Sequence, residues 1–270
     1  MKARFFCCIL KSIPGKCSLM SYRFAVERQD YTDYASGKVF YSLPGHPAFP
    51  IRLASEIFQR CLELRDVKER STPVKLYDPC CGAAYHTAVL AYLHWDKIGE
   101  ITVSDIDEQV LAVAKRNLAL LTLDGLERRI GEIEAMQGLY GKESHRAARQ
   151  SAEVMKNNLL KLISTHPLPV TCFQADALHE NALEAHFVTK KADLVITDIP
   201  YGNRSQWIRS DPQQKHEPAW LLLENIREIL VDKAIVAIAS TKEQIISHER
   251  YRQVGKIKTG KRKVVLLEKR

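Results

Sequence analysis

Residues 74–87 read VKLYDPCCGAAYHT, an extended apolar run that breaks into a turn of small residues and restarts as a helix. Val74, Lys75, Leu76 and Tyr77 suit a strand. Asp78-Pro79 ends it, because Pro79 has no N–H to give a sheet ladder. Gly82, Ala83 and Ala84 then leave the turn almost without side chains, so a ligand could lie against the backbone and the N–H groups that open the next helix. Strand, tight turn and helix in that order predict a nucleotide-type pocket in an α/β chain. An ordinary strand-to-helix turn with no ligand is the plain alternative.

The turn also discriminates between cofactors. A dinucleotide asks for three glycines, G-x-G-x-x-G, to admit its pyrophosphate. Here only Gly82 is present, and Asp78 at the strand end would repel phosphate. S-adenosyl-L-methionine carries no phosphate, and its ammonium and sulfonium suit an acidic strand end. The residues therefore point to the methyl donor.

Of 270 residues 46% are hydrophobic and 27% charged, ordinary for a globular chain. No apolar run approaches the length of a membrane span. Near the start, Lys11 cuts the run Phe5–Leu10 too short for a secretory signal core. Seven cysteines, with no C-x-x-C pair and no histidine at zinc-finger spacing, predict neither a disulfide framework nor a metal site, and fit a reducing cytoplasm. Cys80 and Cys81, side by side in the turn, read as small apolar groups rather than a redox pair. The net charge of +8 gathers at the ends: residues 250–270 hold nine Lys or Arg and one Glu, and residues 1–19 hold four and no acid. Basic ends on a mildly acidic body suit a nucleic-acid partner met at one edge, although a solvated charge run would look the same.

Residues 1–19 have no periodic pattern and are expected to be a disordered or non-native extension; residues 20–270 are expected to form one domain. In it, 20–70 is a helical or irregular segment, including LPGHPAFP at 43–50, where prolines rule out regular structure. Ile51 to Leu64 reads as a helix burying Leu53, Ile57, Cys61 and Leu64. Ile101 to Asp107 reads as a second strand ending in carboxylates. Asp105, 23 residues beyond Gly82, has the spacing of a ribose-binding acid. Asp107 is the N-cap of a helix whose buried face is Leu111, Ala114, Leu118 and Leu121.

Residues 122–166 interrupt the alternation with a helical insert, broken at Gly138 and Gly141. It packs through Met155, Leu159 and Leu162, and reads as a solvated scaffold rather than a substrate clamp. Strands resume at Pro169–Phe173, followed by Asp176, placed to accept from an adenine amino group, and at Asp193–Thr197, apolar enough to be central. Pro218–Val231 reads as helix, Ala234–Ala239 as strand, Thr241–Arg250 as helix, and Gln253–Lys258 with Lys263–Leu267 as a hairpin across Thr259-Gly260. The pattern predicts an α/β fold with a doubly wound, mostly parallel sheet and a terminal antiparallel hairpin.

TDIPYG at 197–202 is the second motif. Asp198 and the Ile199 carbonyl could accept hydrogen bonds from a flat nitrogen compound, Pro200 stiffens the turn, and Tyr201 could stack on the ring. A simple strand-to-turn transition would use the same letters. Together the two motifs resemble the class I S-adenosylmethionine-dependent methyltransferases. TDIPYG resembles the (D/N)-P-P-(Y/F) signature of those that methylate planar nitrogen, with Ile199 in place of the first proline.

The segments 36–61, 76–82 (LYDPCCG), 104–122 (SDIDEQVLAVAKRNLALLT), the insert and 197–202 resemble the AviRa family of rRNA methyltransferases over nearly the whole chain from Met20. That resemblance implies a Rossmann-like class I methyltransferase acting on a guanine of 23S ribosomal RNA, and possession of resistance to an orthosomycin such as avilamycin. It implies Asp78 and Gly82 at the methionine part of the cofactor, Asp105 at the ribose and Asp176 at the adenine, with Pro79, Cys81, Ile106, Ala177 and Asp198 beside them. Asp198, Pro200 and Tyr201 are the implied catalytic set, Asp198 taking the proton of a guanine ring nitrogen. The partner is large-subunit ribosomal RNA, with a monomer, no membrane and no metal. The usual G-x-G of the turn is Gly82-Ala83-Ala84 here, so a methyl at Ala84 must crowd the methionine end or bend the loop. Methylation of a protein glutamine or small molecule, and an inactive RNA-binding protein on the same fold, are the rival readings.

Overall fold

A computed structural model describes residues 22–44, 47–65, 71–187, 191–200, 207 and 216–270. The expectations for residues 1–19 and for Tyr201 lie outside them. Strands β1 (Val74–Asp78), β2 (Ile98–Asp105), β3 (Val170–Gln174), β4 (Ala192–Asp198) and β5 (Leu230–Thr241) pair in parallel. β6 (Tyr251–Thr259) and β7 (Arg262–Lys269) form the hairpin, and β7 enters antiparallel between β5 and β6. The sheet order is β3-β2-β1-β4-β5-β7-β6. The chain winds outward from β1 to β3 and then restarts at β4 on the other side of β1, which opens a crevice above the carboxyl ends of β1 and β4.

Alternation along the strands feeds two cores. Leu76, Leu194, Ile196 and Ile235 face one side of the sheet, and Tyr77, Val195, Val236 and Ile238 the other. The first side is covered by α1 (Ile51–Leu64), α2 (Tyr85–His94), α3 (Glu108–Ala119), α4 (Leu123–Tyr140) and α5 (Glu143–Ile163), the second by α6 (Pro218–Ile226). α2 is apolar almost all round and is buried from Tyr85 to Tyr92. Asp107 caps α3, accepting from the Gln109 and Val110 amides, and Thr122 caps α4 through Gly125. Gly141, at φ 60°, closes α4 in the left-handed conformation glycine tolerates.

Several expectations are corrected. Leu64 is 36% exposed, and the buried stripe of α1 is Leu53, Ala54, Ile57, Phe58 and Cys61. α4 runs through Gly138 unbroken. The helix after Glu217 ends at Ile226, and a short 3-10 turn leads into β5, which is longer at both ends than Ala234–Ala239. Residues 242–250 are not helical. The Lys263 ammonium, reaching across from β7, donates to the carbonyls of Lys242 and Gln244, and the Gln244 side chain accepts from the Thr241 amide. Those contacts take up groups a helix would have used.

Glu56, in α1, is fully buried and accepts from the amides of Arg23, Phe24 and Ala25, and from Arg60. It moors residues 23–25 to the domain. The insert moors the next segment. Arg129 of α4 donates to the carbonyls of Val39 and Lys38, and Glu132 accepts from the Tyr41 hydroxyl.

Candidate active site

The crevice is a cleft of about 880 Å³ at the carboxyl ends of the parallel strands. Pro79, Cys81 and Gly82 line it after β1, Asp105 and Ile106 at the end of β2, Asp176 and Ala177 after β3, and Asp198 and Pro200 after β4. The switch of strand order therefore gathers nearly all the sequence-predicted residues around one space. Gly82 has φ +54°, and a Cβ there would meet nothing within 4 Å, so the turn leaves open room above its backbone. The Gly82 amide donates to Asp105 Oδ2 at 2.8 Å, and the Asp107 amide to Oδ1 at 3.1 Å. Burial pushes the Asp105 carboxyl above its ordinary range, and these two amides oppose the rise. Asp176 accepts from the Leu178 amide at 2.9 Å.

Asp78 departs from its expected place. It sits at the strand end, fully buried, but is not among the residues lining the cleft. Its carboxylate accepts from Thr87 Oγ1 at 3.0 Å and pairs with His86 Nε2 at 3.1 Å, both in the first turn of α2. The carboxylate is thus turned toward the start of α2. The residue that reaches the cleft is His86. Burial works to lower its pKa, yet the Asp78 carboxylate outweighs burial and holds it above the ordinary value, with the Asp198 charge adding to the effect. Cys80 and Cys81 are also raised, but with burial as the leading cause: burial, then the Asp105 and Asp78 charges, lifts both thiols well above their ordinary value. They remain protonated small groups of the turn.

Ala84, the departure from G-x-G, is fully buried and left-handed, at φ 51° and ψ 25°. An L-residue there costs on the order of 1 kcal/mol, and the loop keeps the glycine-like path. It is locked from outside. Buried Asn117 of α3 donates to the Ala83 carbonyl at 2.9 Å and to the Tyr41 carbonyl at 3.0 Å, while its Oδ1 accepts from the Tyr41 amide at 2.8 Å.

Sequence reading missed Tyr41, Phe49 and Trp207, which also line the cleft, as do Lys261 and Arg262 of the expected basic edge. The Arg262 guanidinium lies 5.4 Å from the Phe49 ring centre, and Phe49 lies 5.4 Å from the His86 ring. Pro200 is held by Gln244, whose Nε2 donates to its carbonyl at 3.1 Å. The detectable signals were polar residues on apolar faces: His86 and Thr87 in α2, and Asn117 on the buried stripe of α3. Lys263, which seemed part of the basic edge, is 8% exposed and spent on loop carbonyls. Tyr201 lies outside the described residues.

Among the described residues no group of three or more His, Cys, Asp or Glu is arranged to hold a metal, and no helix is long and apolar enough to cross a membrane. A cleft over carboxylate-tipped parallel strands can seat an adenosine-sized ligand and a flat base side by side.

Known proteins share this arrangement. A 23S rRNA (guanine(2535)-N(1))-methyltransferase from Streptomyces viridochromogenes is 36% identical over 249 residues, 92% of this chain and 96% of that protein. Two solved structures of the rRNA methyltransferase AviRa from the same organism superpose with TM-score 0.80, at 37% and 36% identity, each covering 92% of this chain and 96% of the other. The fold is thus that of the rRNA methyltransferase AviRa. The model of the family described as rRNA methyltransferase AviRa matches residues 20–262. By that match, and by near full-length identity above one third, the chain belongs to the AviRa family of rRNA methyltransferases.

Proposed function

We propose that this protein methylates a ring nitrogen of a guanine in 23S ribosomal RNA, using S-adenosyl-L-methionine. The observation that carries the reading is the single cleft in which Asp105, Asp176 and Asp198 meet, with Lys261 and Arg262 at its edge. The Streptomyces relative named for guanine N1 supports the substrate. Bound S-adenosyl-L-methionine supplies an electrophilic methyl group.

The chain's own residues do the rest. Asp105 accepts the ribose hydroxyls, exchanging part of its bond to the Gly82 amide, and Asp176 accepts from the adenine amino group. The open backbone of Gly82 receives the methionine end, beside Pro79 and Cys81. Asp78 acts from behind by fixing His86 and the start of α2. At the other end of the cleft an unstacked guanine enters. Asp198 takes its ring-nitrogen proton, Pro200 fixes the angle of approach, and Tyr201 stacks on the ring. Most of the rate gain comes from holding the two reactants in line. Lys261 and Arg262 meet neighbouring phosphates.

The test is incubation with labelled S-adenosyl-L-methionine and ribosomal RNA, then mass mapping of the product. Label on one guanine of 23S rRNA is the expected result. Label on protein or a small molecule but never on rRNA would overturn it.

A further inference from the structure

His86 is a polar ring on a helix that is otherwise apolar almost all round, and it is only 7% exposed where α2 meets the cleft. An imidazole in that place contributes nothing to packing that a leucine would not, and it gives up water to be there. Its neighbours explain what the ring does. Asp78 of β1 lies 3.1 Å from Nε2, and that carboxylate is itself held by Thr87 at 3.0 Å. The Ile196 carbonyl of β4 is a second acceptor for the ring, and the Asp198 charge, two residues further along the strand, acts on it too. An imidazole has one N–H when neutral and two when charged, so acceptors from two strands suit the charged ring. Burial works against the second proton, and the Asp78 charge and bond, helped by Asp198 and Ile196, restore it. Phe49 covers the ring at 5.4 Å, and the Arg262 guanidinium of β7 lies 5.4 Å beyond, against the Phe49 ring. The thiols of the β1 turn, Cys80 and Cys81, bring no charge.

The cleft needs a cation there. Asp105, Asp176 and Asp198 line it, and Asp78 is buried behind it. Crowded carboxylates raise one another's affinity for protons, and Asp105 already feels this: burial leads, and the Asp78 charge adds to it. An acceptor for a guanine ring proton must be ionised when the base arrives. Lys261 is exposed, so water and salt screen its charge. His86 is buried, where a charge acts at full strength.

We propose that His86, clamped by Asp78, is the buried cation of the cleft, and that its charge keeps the Asp198 carboxylate ionised until the guanine proton reaches it. The inference rests on the guanine methyltransferase reading and adds no bond to that reaction. The ring-nitrogen proton passes to Asp198, the nitrogen electron pair forms the bond to the methyl carbon, and the carbon–sulfur pair stays on sulfur. His86 keeps both its protons throughout. It is a positioning residue that acts through Asp198.

The test compares wild type, His86→Gln and Thr87→Val in single-turnover transfer to 23S rRNA at saturating cofactor, between about pH 5 and 9. Glutamine can still donate to Asp78 but carries no charge, whereas Thr87→Val loosens Asp78 and leaves the His86 charge in place. In His86→Gln the acid limb of the rate should move up by about one pH unit, about a tenfold loss at a fixed pH on the limb, with the plateau within about twofold of wild type. Thr87→Val should leave the limb where it is. A limb unmoved in His86→Gln, or moved equally in Thr87→Val, makes the His86–Asp78 pair purely structural and overturns the proposal while the methyltransferase reading stands. A second measurement needs no turnover. Ring-nitrogen NMR of wild type carrying isotope-labelled histidine, with His86 assigned by its absence in His86→Gln, should give a titration midpoint above 6.5. A midpoint below 6.5 overturns the proposal whatever the rates show. A wild type that labels no guanine overturns both readings.

Discussion

The Gly82 amide and the Asp105 carboxylate are joined at 2.8 Å, so the glycine turn after β1 and the acidic end of β2 form one unit before any ligand arrives. Asp105→Ala should weaken S-adenosyl-L-methionine binding by about 2 kcal/mol, the scale of lost charge-assisted hydrogen bonds. Asp105→Asn, which keeps one acceptor oxygen, should lose less. Calorimetric titration checks both, and an unchanged affinity in the alanine variant takes Asp105 out of the site.

Asp198→Ala should separate binding from chemistry. With the proton acceptor gone, methyl transfer should fall by roughly 10²–10⁴-fold, while cofactor affinity stays close to wild type. Single-turnover transfer and a parallel titration read the two quantities. Normal transfer would mean that the guanine proton leaves by another route.

Asn117→Ala should loosen the cleft from behind. The Tyr41 and Ala83 carbonyls and the Tyr41 amide all lose a buried partner, at a cost of about 2–3 kcal/mol. Thermal unfolding should shift down by roughly 5–10 °C, and cofactor binding should weaken because Ala83 belongs to the turn. A variant with wild-type melting would deny Asn117 its bridging role.

At the basic edge, the three adjacent cations should behave differently. Lys261→Ala and Arg262→Ala should each flatten the salt dependence of RNA binding by about 0.7–0.9 in log–log slope. Lys263→Ala should mainly lower stability, since its ammonium holds the Lys242 and Gln244 carbonyls. Equal salt slopes in all four proteins would place the RNA elsewhere.

His94 sets an acid limit. Burial holds its pKa down at about 4, from an ordinary value of 6.5, while its ring bonds Ser55 at 3.0 Å and stacks on Phe58. The unfolded chain takes up the proton below 6.5 and the folded chain does not. Stability from neutral His94 is thus present above pH 6.5 and is lost as pH falls to about 4, a change of about 3 kcal/mol. The stability gap between wild type and His94→Gln should shrink over that window in denaturant titrations. A gap independent of pH would contradict the assignment.

The strand ends were legible because their signals are local. Asp105 and Asp198 close apolar runs, Pro79 stops a ladder, and Asp107 caps its helix within three residues of itself. What stayed illegible depends on partners remote in the chain. Residues 242–250 have helix-forming letters, but Lys263 claims their carbonyls from β7. Asp78 looked like a cofactor ligand, yet the direction of its carboxylate is decided by Thr87 and His86 on the following helix. Tyr41 and Phe49 lie in a proline-rich stretch with no period to read, and residues remote in the chain, Asn117, Arg129, Glu132 and Arg262 among them, bring that stretch onto the cleft.

The place of β7 bears on when the protein becomes competent. It is synthesised after β6 but lies between β6 and β5, so β6 has no edge to join until β7 exists. Arg262, which faces Phe49 across the cleft, arrives with it. A growing polypeptide that has not passed Lys269 carries an unclosed sheet and a one-sided cleft. On this topology one strand, β7, both closes the sheet and brings Arg262 to the cleft.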